Sequence, residues 1–251
     1  MQTSNIPTSF KKIKDEPELS VVVLCYKSGE TLIPYVEQME KELREGGMDN
    51  YELVLVGNYF PGTNDKTPLI IRKLAEKNPK IVPITLEKKG MLGWDVIMGF
   101  KATNGKAIAF IDGDGQMPSQ DIVRLFRVLK SGEFDLVKTF RKMRMDGAYR
   151  KFISNWYNMI FHILFPGASF RDVNAKPKLM TREAYNKMNL SCDGWFIDGE
   201  IMLESMRLDM NVAEVPTVFH KNEWRGSFIK IWAIFEFLAY MVFYRIKYWF
   251  K

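Results

Sequence analysis

Residues 19–25, LSVVVLC, form a continuous apolar run rich in β-branched side chains. A strand covered on one face alternates polar and apolar positions, whereas an unbroken run is what a strand buried on both faces looks like. The same texture returns at 51–56 (YELVLV), 81–86 and 107–111 (AIAFI), and helical periodicity fills the intervals at 32–44, 68–77 and 94–102. Alternating strands and helices of this kind predict an α/β fold, a mostly parallel central sheet flanked by helices. Past residue 131 the pattern loosens, with a strand expected at 134–139, an aromatic-rich helix at 152–165 and a late strand at 212–218. No repeat or linker divides the 251 residues. The expected organisation is a flexible N-terminal extension (1–17), one α/β domain (18–227) and a helical tail (228–251).

In open sheets of this type ligands sit beyond the carboxyl ends of the strands. The segments to inspect are therefore 26–30, 57–65 and 112–116. No GxGxxG follows the first strand and no GxxxxGK[ST] occurs, so the motifs of dinucleotide oxidoreductases and P-loop NTPases are absent. Two cysteines, Cys25 and Cys192, and two histidines in the whole chain exclude a zinc cluster and read as free thiols of a reducing compartment. Residues 1–17 are polar and charged, without the apolar core of a signal peptide, so a cytoplasmic location is expected.

The segment Ile111-Asp112-Gly113-Asp114-Gly115-Gln116-Met117-Pro118 carries the strongest local chemistry. Two carboxylates two residues apart point the same way at an extended strand end. Flanked by glycines, Asp112 and Asp114 can share one hard divalent cation, Mg²⁺ or Mn²⁺. Such a cation bridges a diphosphate and offsets the charge that develops as a nucleotide leaves. A solvated Asp-Gly turn would have the same composition, but the position directly after a buried strand favours the metal.

On these residues the chain resembles family 2 glycosyltransferases of the GT-A fold, closest to the branch of dolichyl- and polyprenyl-phosphate sugar synthases. The resemblance covers about 19–227 and rests on ordered pieces. Ser20-Val21-Val22-Val23 with Tyr26 is similar to the family's opening strand and nucleotide loop, which extends here to Glu30. Glu52 to Val56, followed by Asp65 and Thr67, is similar to the second strand and its base-binding turn. Gly90, Gly93 and Gly99 fall where the family keeps glycines, and Asp112, Asp114, Gln116 and Pro118 match the DxDxQxP form of the lipid-phosphate branch. Two departures stand out. Gly57-Asn58 replaces the acidic residue that usually ends the second strand, leaving Asn58 to meet a base edge. The opening loop also lacks the usual proline and asparagine around its tyrosine.

What the resemblance implies downstream is an acceptor site. Arg141, Arg150 and Ser154 resemble the stretch that grips the acceptor's phosphate, a role that suits guanidinium forks. Asp172 to Lys178 resembles the segment closing the sugar pocket, with Asp172 on sugar hydroxyls. Trp195 to Glu200 resembles the motif near the reacting centre, where Asp198 or Glu200 would act as base for a hydroxyl acceptor or would position groups for a phosphate acceptor. Arg225-Gly226-Ser227 resembles the element whose arginine reaches donor or acceptor phosphates.

The net charge of +6 concentrates at the end of the chain: beyond Phe219, Lys221, Arg225, Lys230, Arg245, Lys247 and Lys251 face only Glu223 and Glu236. Basic and aromatic residues together suit a membrane interface better than nucleic acid, for which no groove-binding motif is present. The apolar core of the tail, 231–244, would cover about 21 Å as a helix, short of a roughly 30 Å span. Ile231, Phe235, Leu238, Val242 and Trp249 share one face, opposite Lys230, Glu236, Arg245 and Lys247, as in an interfacial helix. The alternative is a helix packed on the domain or on a second subunit of a homodimer. The expected function is therefore inverting, metal-dependent transfer of a sugar from a UDP- or GDP-sugar to a polyprenyl phosphate by a peripheral protein at the cytoplasmic membrane face. Alternatives are the same chemistry on a glycan or glycolipid hydroxyl, and an inactive membrane scaffold.

Overall fold

The computed structural model describes residues 16–222 and 231–249. Four strands, β1 (Leu19–Leu24), β2 (Tyr51–Val56), β3 (Ile81–Ile84) and β4 (Ala107–Asp112), alternate with helices α1 (Leu32–Glu45), α2 (Thr67–Lys77) and α3 (Leu92–Lys101). The buried runs are indeed strands covered on both sides: all six residues of β1 and of β2 are buried. Their side chains divide with period two. Val22, Leu24, Val54, Val56, Ile108 and Phe110 enter one core with α3, while Val21, Val23, Leu53, Leu55 and Ile111 enter a second with α1.

The second half adds α4 (Gln120–Leu129), β5 (Leu136–Arg144), α5 (Ala148–Leu164), β6 (Lys178–Thr181), α6 (Arg182–Lys187), α7 (Ile197–Arg207), β7 (Val212–Phe219) and α8 (Ile231–Trp249). The sheet order is β3-β2-β1-β4-β6-β5-β7, matching the expected mostly parallel α/β architecture. One strand runs the other way. β6 pairs antiparallel with both β4 and β5, so its first residue, Lys178, lies opposite Phe110 near the carboxyl end of β4, while β5 and β7 run on past it. This reversal brings Lys178 and the chain just before it, including Lys176, to the carboxyl end of β4.

Close backbone approach explains two of the glycines. A Cβ on Gly99 would lie 2.4 Å from Val22 Cγ1, so α3 reaches the sheet only without one. A Cβ on Gly93 would lie 2.0 Å from the carbonyl oxygen of Cys192. There the N–H groups of Met91 and Gly93 donate to Asp193 O and Gly194 O, both at 2.7 Å. Cys25 and Cys192 are buried free thiols.

The tail differs from a simple interfacial helix because it has two apolar faces. Phe237, Tyr240, Met241 and Tyr244 pack on the domain: Phe196 stacks on Tyr240 at 6.0 Å, and Phe237 meets Tyr157 of α5 at 5.3 Å. Glu236, expected on a solvated face, accepts a hydrogen bond from Trp195 N at 3.0 Å. The opposite side keeps Phe235, Val242, Phe243 and Ile246 exposed. No helix among the described residues is long and apolar enough to cross a membrane.

Replacing Gly93 with alanine should force apart the α3 start and the 192–194 loop. We expect a loss of about 1–3 kcal/mol, read as a lowered urea midpoint with an unchanged slope.

Candidate active site

The carboxyl edge gathers most of the residues singled out above. Asp112 is the last residue of β4, and Asp114 lies in the turn that follows, where Gly115 takes φ +71°. Gln116 N donates to Asp114 Oδ1 at 3.1 Å, and Tyr35 of α1 donates its hydroxyl to Asp112 O at 3.2 Å. The end of β7 crosses here too. His220 N donates to Gln116 O at 2.8 Å, while Gln116 Nε2 donates back to His220 O at 3.0 Å. Thus Gln116 holds the β7 end against the aspartate turn.

Two carboxylates from one turn suit a hard divalent cation. Among the described residues no group of three or more His, Cys, Asp or Glu side chains could hold a metal. A cation at Asp112 and Asp114 would therefore take further oxygens from a diphosphate and water, the usual manner of Mg²⁺ in phosphate sites. The donor set fits that chemistry.

Behind Asp112 lies a buried ion cluster. Lys176 Nζ stands 3.4 Å from Asp112 Oδ2 and 2.8 Å from Asp198 Oδ2. Lys178 pairs with the other oxygen, Oδ1, of Asp198. Burial opposes ionisation of Asp198, but the two ammoniums outweigh it and hold the carboxyl below its ordinary range. Glu200, two residues further along α7, is fully buried and faces other partners. Its carboxylate accepts from Ser191 N and Oγ, from Cys192 N and from the Tyr244 hydroxyl, and so ties the 191–192 loop and α8 to α7. Trp195 is half-buried.

Arg141 and Asp172, expected on acceptor phosphate and on sugar, meet each other. Arg141 Nε and Nη2 donate to Asp172 at 2.6 and 2.7 Å, and Nη2 also donates to Ser154 Oγ at 3.1 Å. Burial works against the Asp172 carboxylate, yet the Arg141 fork, reinforced by Lys138, keeps it well below the usual carboxylate range. Arg150 is 41% exposed and 3.9 Å from Asp146.

The donor side is built by the loops after β1 and β2. Asp65 accepts from Thr67 N, the first residue of α2, at 2.9 Å and from Lys27 N at 3.3 Å, which fixes the loop that carries Tyr26. Glu30 is exposed in a short 3₁₀ turn. Asn58 is fully buried rather than lining a surface. Its Nδ2 donates to Asp95 Oδ1 at 2.9 Å and its Oδ1 accepts from Leu86 N at 2.7 Å. Asp95 pairs with Lys88, whose ammonium lies 4.7 Å from the Tyr26 ring centre and 5.9 Å from that of Phe60. Lys88 and Asp95 belong to no motif in the sequence, and Lys176 stands there only as part of the 172–178 segment, with no role of its own. Asp95 was detectable as the lone acid inside the apolar helix segment WDVIMGF. Arg225 and Ser227 lie outside the described residues.

Residues 20–194 match the family described as glycosyl transferase family 2. The chain belongs to that family. Among similar proteins, the undecaprenyl-phosphate 4-deoxy-4-formamido-L-arabinose transferase of Photorhabdus laumondii is 32% identical over 151 residues, 60% of this chain and 44% of its own length. The dolichyl-phosphate beta-glucosyltransferase ALG5C of Trichomonas vaginalis is 26% identical over 242 residues, covering 90% of this chain and 69% of that protein. This family 2 chain thus spans less than half the length of the first of these relatives. In fold it is similar to glucosyl-3-phosphoglycerate synthase from Mycobacterium tuberculosis in complex with Mn²⁺, UDP and glucosyl-3-phosphoglycerate. The TM-score is 0.67 at 18% identity, over 91% of this chain and 80% of that one. A structure of the same enzyme with Mg²⁺ and UDP gives 0.59 at 19% identity, over 84% and 73%. The GT-A fold expected from the sequence is the one observed.

Asp198→Asn should leave two buried ammoniums poorly paired and cost about 3–5 kcal/mol near neutral pH. Because the folded carboxyl titrates below its ordinary value, the wild-type advantage is complete above about pH 4. It should shrink as the pH falls further, which paired urea titrations of the two proteins from pH 7 to pH 2 would measure.

Proposed function

We propose that this chain transfers a sugar from a UDP- or GDP-sugar to a polyprenyl phosphate at the cytoplasmic face of a membrane, inverting the anomeric carbon. The occupation of its buried carboxylates carries this reading. A hydroxyl acceptor needs a base to take its proton. Each oxygen of Asp198 is held by an ammonium, and Glu200 is engaged by the 191–192 loop and Tyr244. A phosphate monoester is already an anionic nucleophile and needs cationic groups instead. Arg141, backed by Asp172 and Ser154, lies towards the end of β5 on the same sheet edge as Asp112. The relatives named for undecaprenyl phosphate and dolichyl phosphate support the same acceptor class.

In this reading Tyr26, Asp65 and the buried Asn58–Asp95–Lys88 unit shape the nucleotide side, with Glu30 at its rim. Asp112, Asp114 and Gln116 form the diphosphate side. A divalent cation, when bound at Asp112 and Asp114, supplies positive charge against the departing diphosphate. Lys176 and Lys178 keep Asp198 ionised and in place beside Asp112, and Asp172 and Trp195 border the sugar. Arg141 and Arg150 orient the acceptor phosphate, and Arg225 and Ser227 are assigned to the phosphates by resemblance. One phosphate oxygen forms the new bond to the anomeric carbon. The bond from that carbon to the diphosphate breaks, and the nucleoside diphosphate leaves with the electron pair.

The lipid acceptor accounts for a surface feature. On α5, Tyr149, Phe152, Trp156, Met159 and Ile163 are all exposed and form one stripe at helical spacing. Beside it α8 exposes Phe235, Val242, Phe243 and Ile246. Arg150 and Lys151 on α5, with Arg245 and Lys247 on α8, supply basic groups next to these stripes. Apolar side chains bordered by cations suit the interface of an anionic membrane.

Incubating the protein with UDP- and GDP-sugars, a short polyprenyl phosphate and Mn²⁺ should give a lipid-linked sugar of inverted configuration. Asp114→Asn should lower turnover at least about 10²-fold while the unfolding curve stays near wild type; product formation in excess EDTA would reject the metal role. Joint replacement of Trp156 and Phe243 by glutamate should abolish flotation with phosphatidylglycerol vesicles. Added salt alone should weaken flotation only in part, since apolar burial is not screened.

A further inference from the structure

Arg144 was not singled out by the sequence, and strand geometry explains why. Residues 141 and 144 are three apart, so a regular strand points them to opposite faces. β5 is not regular there. Its register against β7 shifts between Arg141, paired with Thr217, and Met143, paired with Val218, leaving Lys142 as the extra residue of a β-bulge. Arg144 is then opposite Phe219, two residues beyond Thr217 and on the same face. One inserted residue has turned Arg144 to the side of Arg141, which is what bulges beside active sites do.

The two guanidiniums are held alike. Each lies against the Phe219 ring, Arg141 at 5.4 Å and Arg144 at 5.2 Å from its centre. Each presents its Nε and Nη2 edge to a carboxylate, Arg141 to Asp172 and Arg144 to Asp146 at 3.0 and 2.6 Å. In both, Nη1 makes no hydrogen bond among the described residues, and for Arg144 this atom is buried as well. A buried guanidinium N–H without a partner is unusual and asks for an acceptor. Phe219 also precedes His220, whose backbone holds Gln116 of the aspartate turn. The arginine pair is therefore joined by one residue to the diphosphate side.

Resting on the function proposed above, we propose that Arg144 is a second guanidinium of the acceptor site. It binds the phosphate together with Arg141, and Phe219 is the positioning residue that holds the pair. Two carboxylates fix the outer edges of the guanidiniums, the ring fixes their faces, and the two remaining Nη1 groups supply charge-assisted donors to phosphate oxygens.

Calorimetric titration of the full chain in detergent with farnesyl phosphate, and with farnesol as control, tests this without catalysis. Wild type should bind the phosphate at least tenfold more tightly than the alcohol. Arg144→Gln should weaken farnesyl phosphate binding by about ten- to a hundredfold and leave farnesol unchanged. Arg144→Lys should recover little, because an ammonium cannot hold the carboxylate fork and the ring face together. Phe219→Leu, which keeps an apolar side chain there, should weaken phosphate binding several-fold, and it covers the case in which Arg144→Gln does not fold. Equal affinity of wild type for phosphate and alcohol would overturn the proposal. So would farnesyl phosphate affinities within twofold of wild type in the folded variants. Arg144-dependent binding without sugar transfer to any lipid phosphate would instead remove the proposed function and leave this site standing. Transfer with an acceptor KM unchanged in Arg144→Gln would do the reverse.

Discussion

Asp198 sits between two buried ammoniums, and the rest of the carboxyl edge is arranged around that contact. A lone buried carboxylate or a lone buried lysine would cost several kcal/mol. Held together, Asp198, Lys176 and Lys178 can lie under the sheet edge, and Lys176 reaches on to Asp112. The contact requires α7 to begin where it does and the 176–178 segment to arrive from outside the sheet. The latter follows from β6 running against its neighbours, with Lys178 opposite Phe110 in the register of β4. Reverse that strand and the cluster cannot form.

Around this centre charged groups come in fixed pairs. Asp172 holds Arg141, Asp146 holds Arg144, and Asp95 holds Lys88. In each pair a protein carboxylate fixes the orientation of a cation, which leaves that cation little rotamer freedom. Glu200 does related work away from any cation, tying the 191–192 loop and Tyr244 of α8 to α7. The tail is thereby part of the domain, while its outer face stays apolar.

The strands β1 to β4 and helices α1 to α3 were legible because each announces itself by local period, and their bounds moved by only a residue or two. Asp112 and Asp114 were legible because a pair of charges directly after a fully apolar run marks the end of a buried strand, where ligands of such sheets bind. β6 was not read as a strand: four residues, Lys178–Thr181, beginning with a buried lysine, carry no apolar alternation. Helix α4 was not predicted although its amphipathic spacing is clear, because it starts directly after the glycine- and proline-bearing aspartate turn. Arg141 and Asp172 were both found, but as two separate ligand contacts instead of one ion pair, because nothing along the chain relates positions 31 apart.

The sequence by itself determined the layered α/β fold, the strand end that carries the paired aspartates and the family. Each of these rests on neighbours a few residues apart, where period and spacing are enough. Only the tertiary structure decided which buried charges meet, that α8 has an inner as well as an outer apolar face, and that Arg144 stands beside Arg141. The last point turns on a single extra residue, Lys142, in one strand relative to its partner. A bulge is a property of the pairing between two strands, and neither strand records it alone.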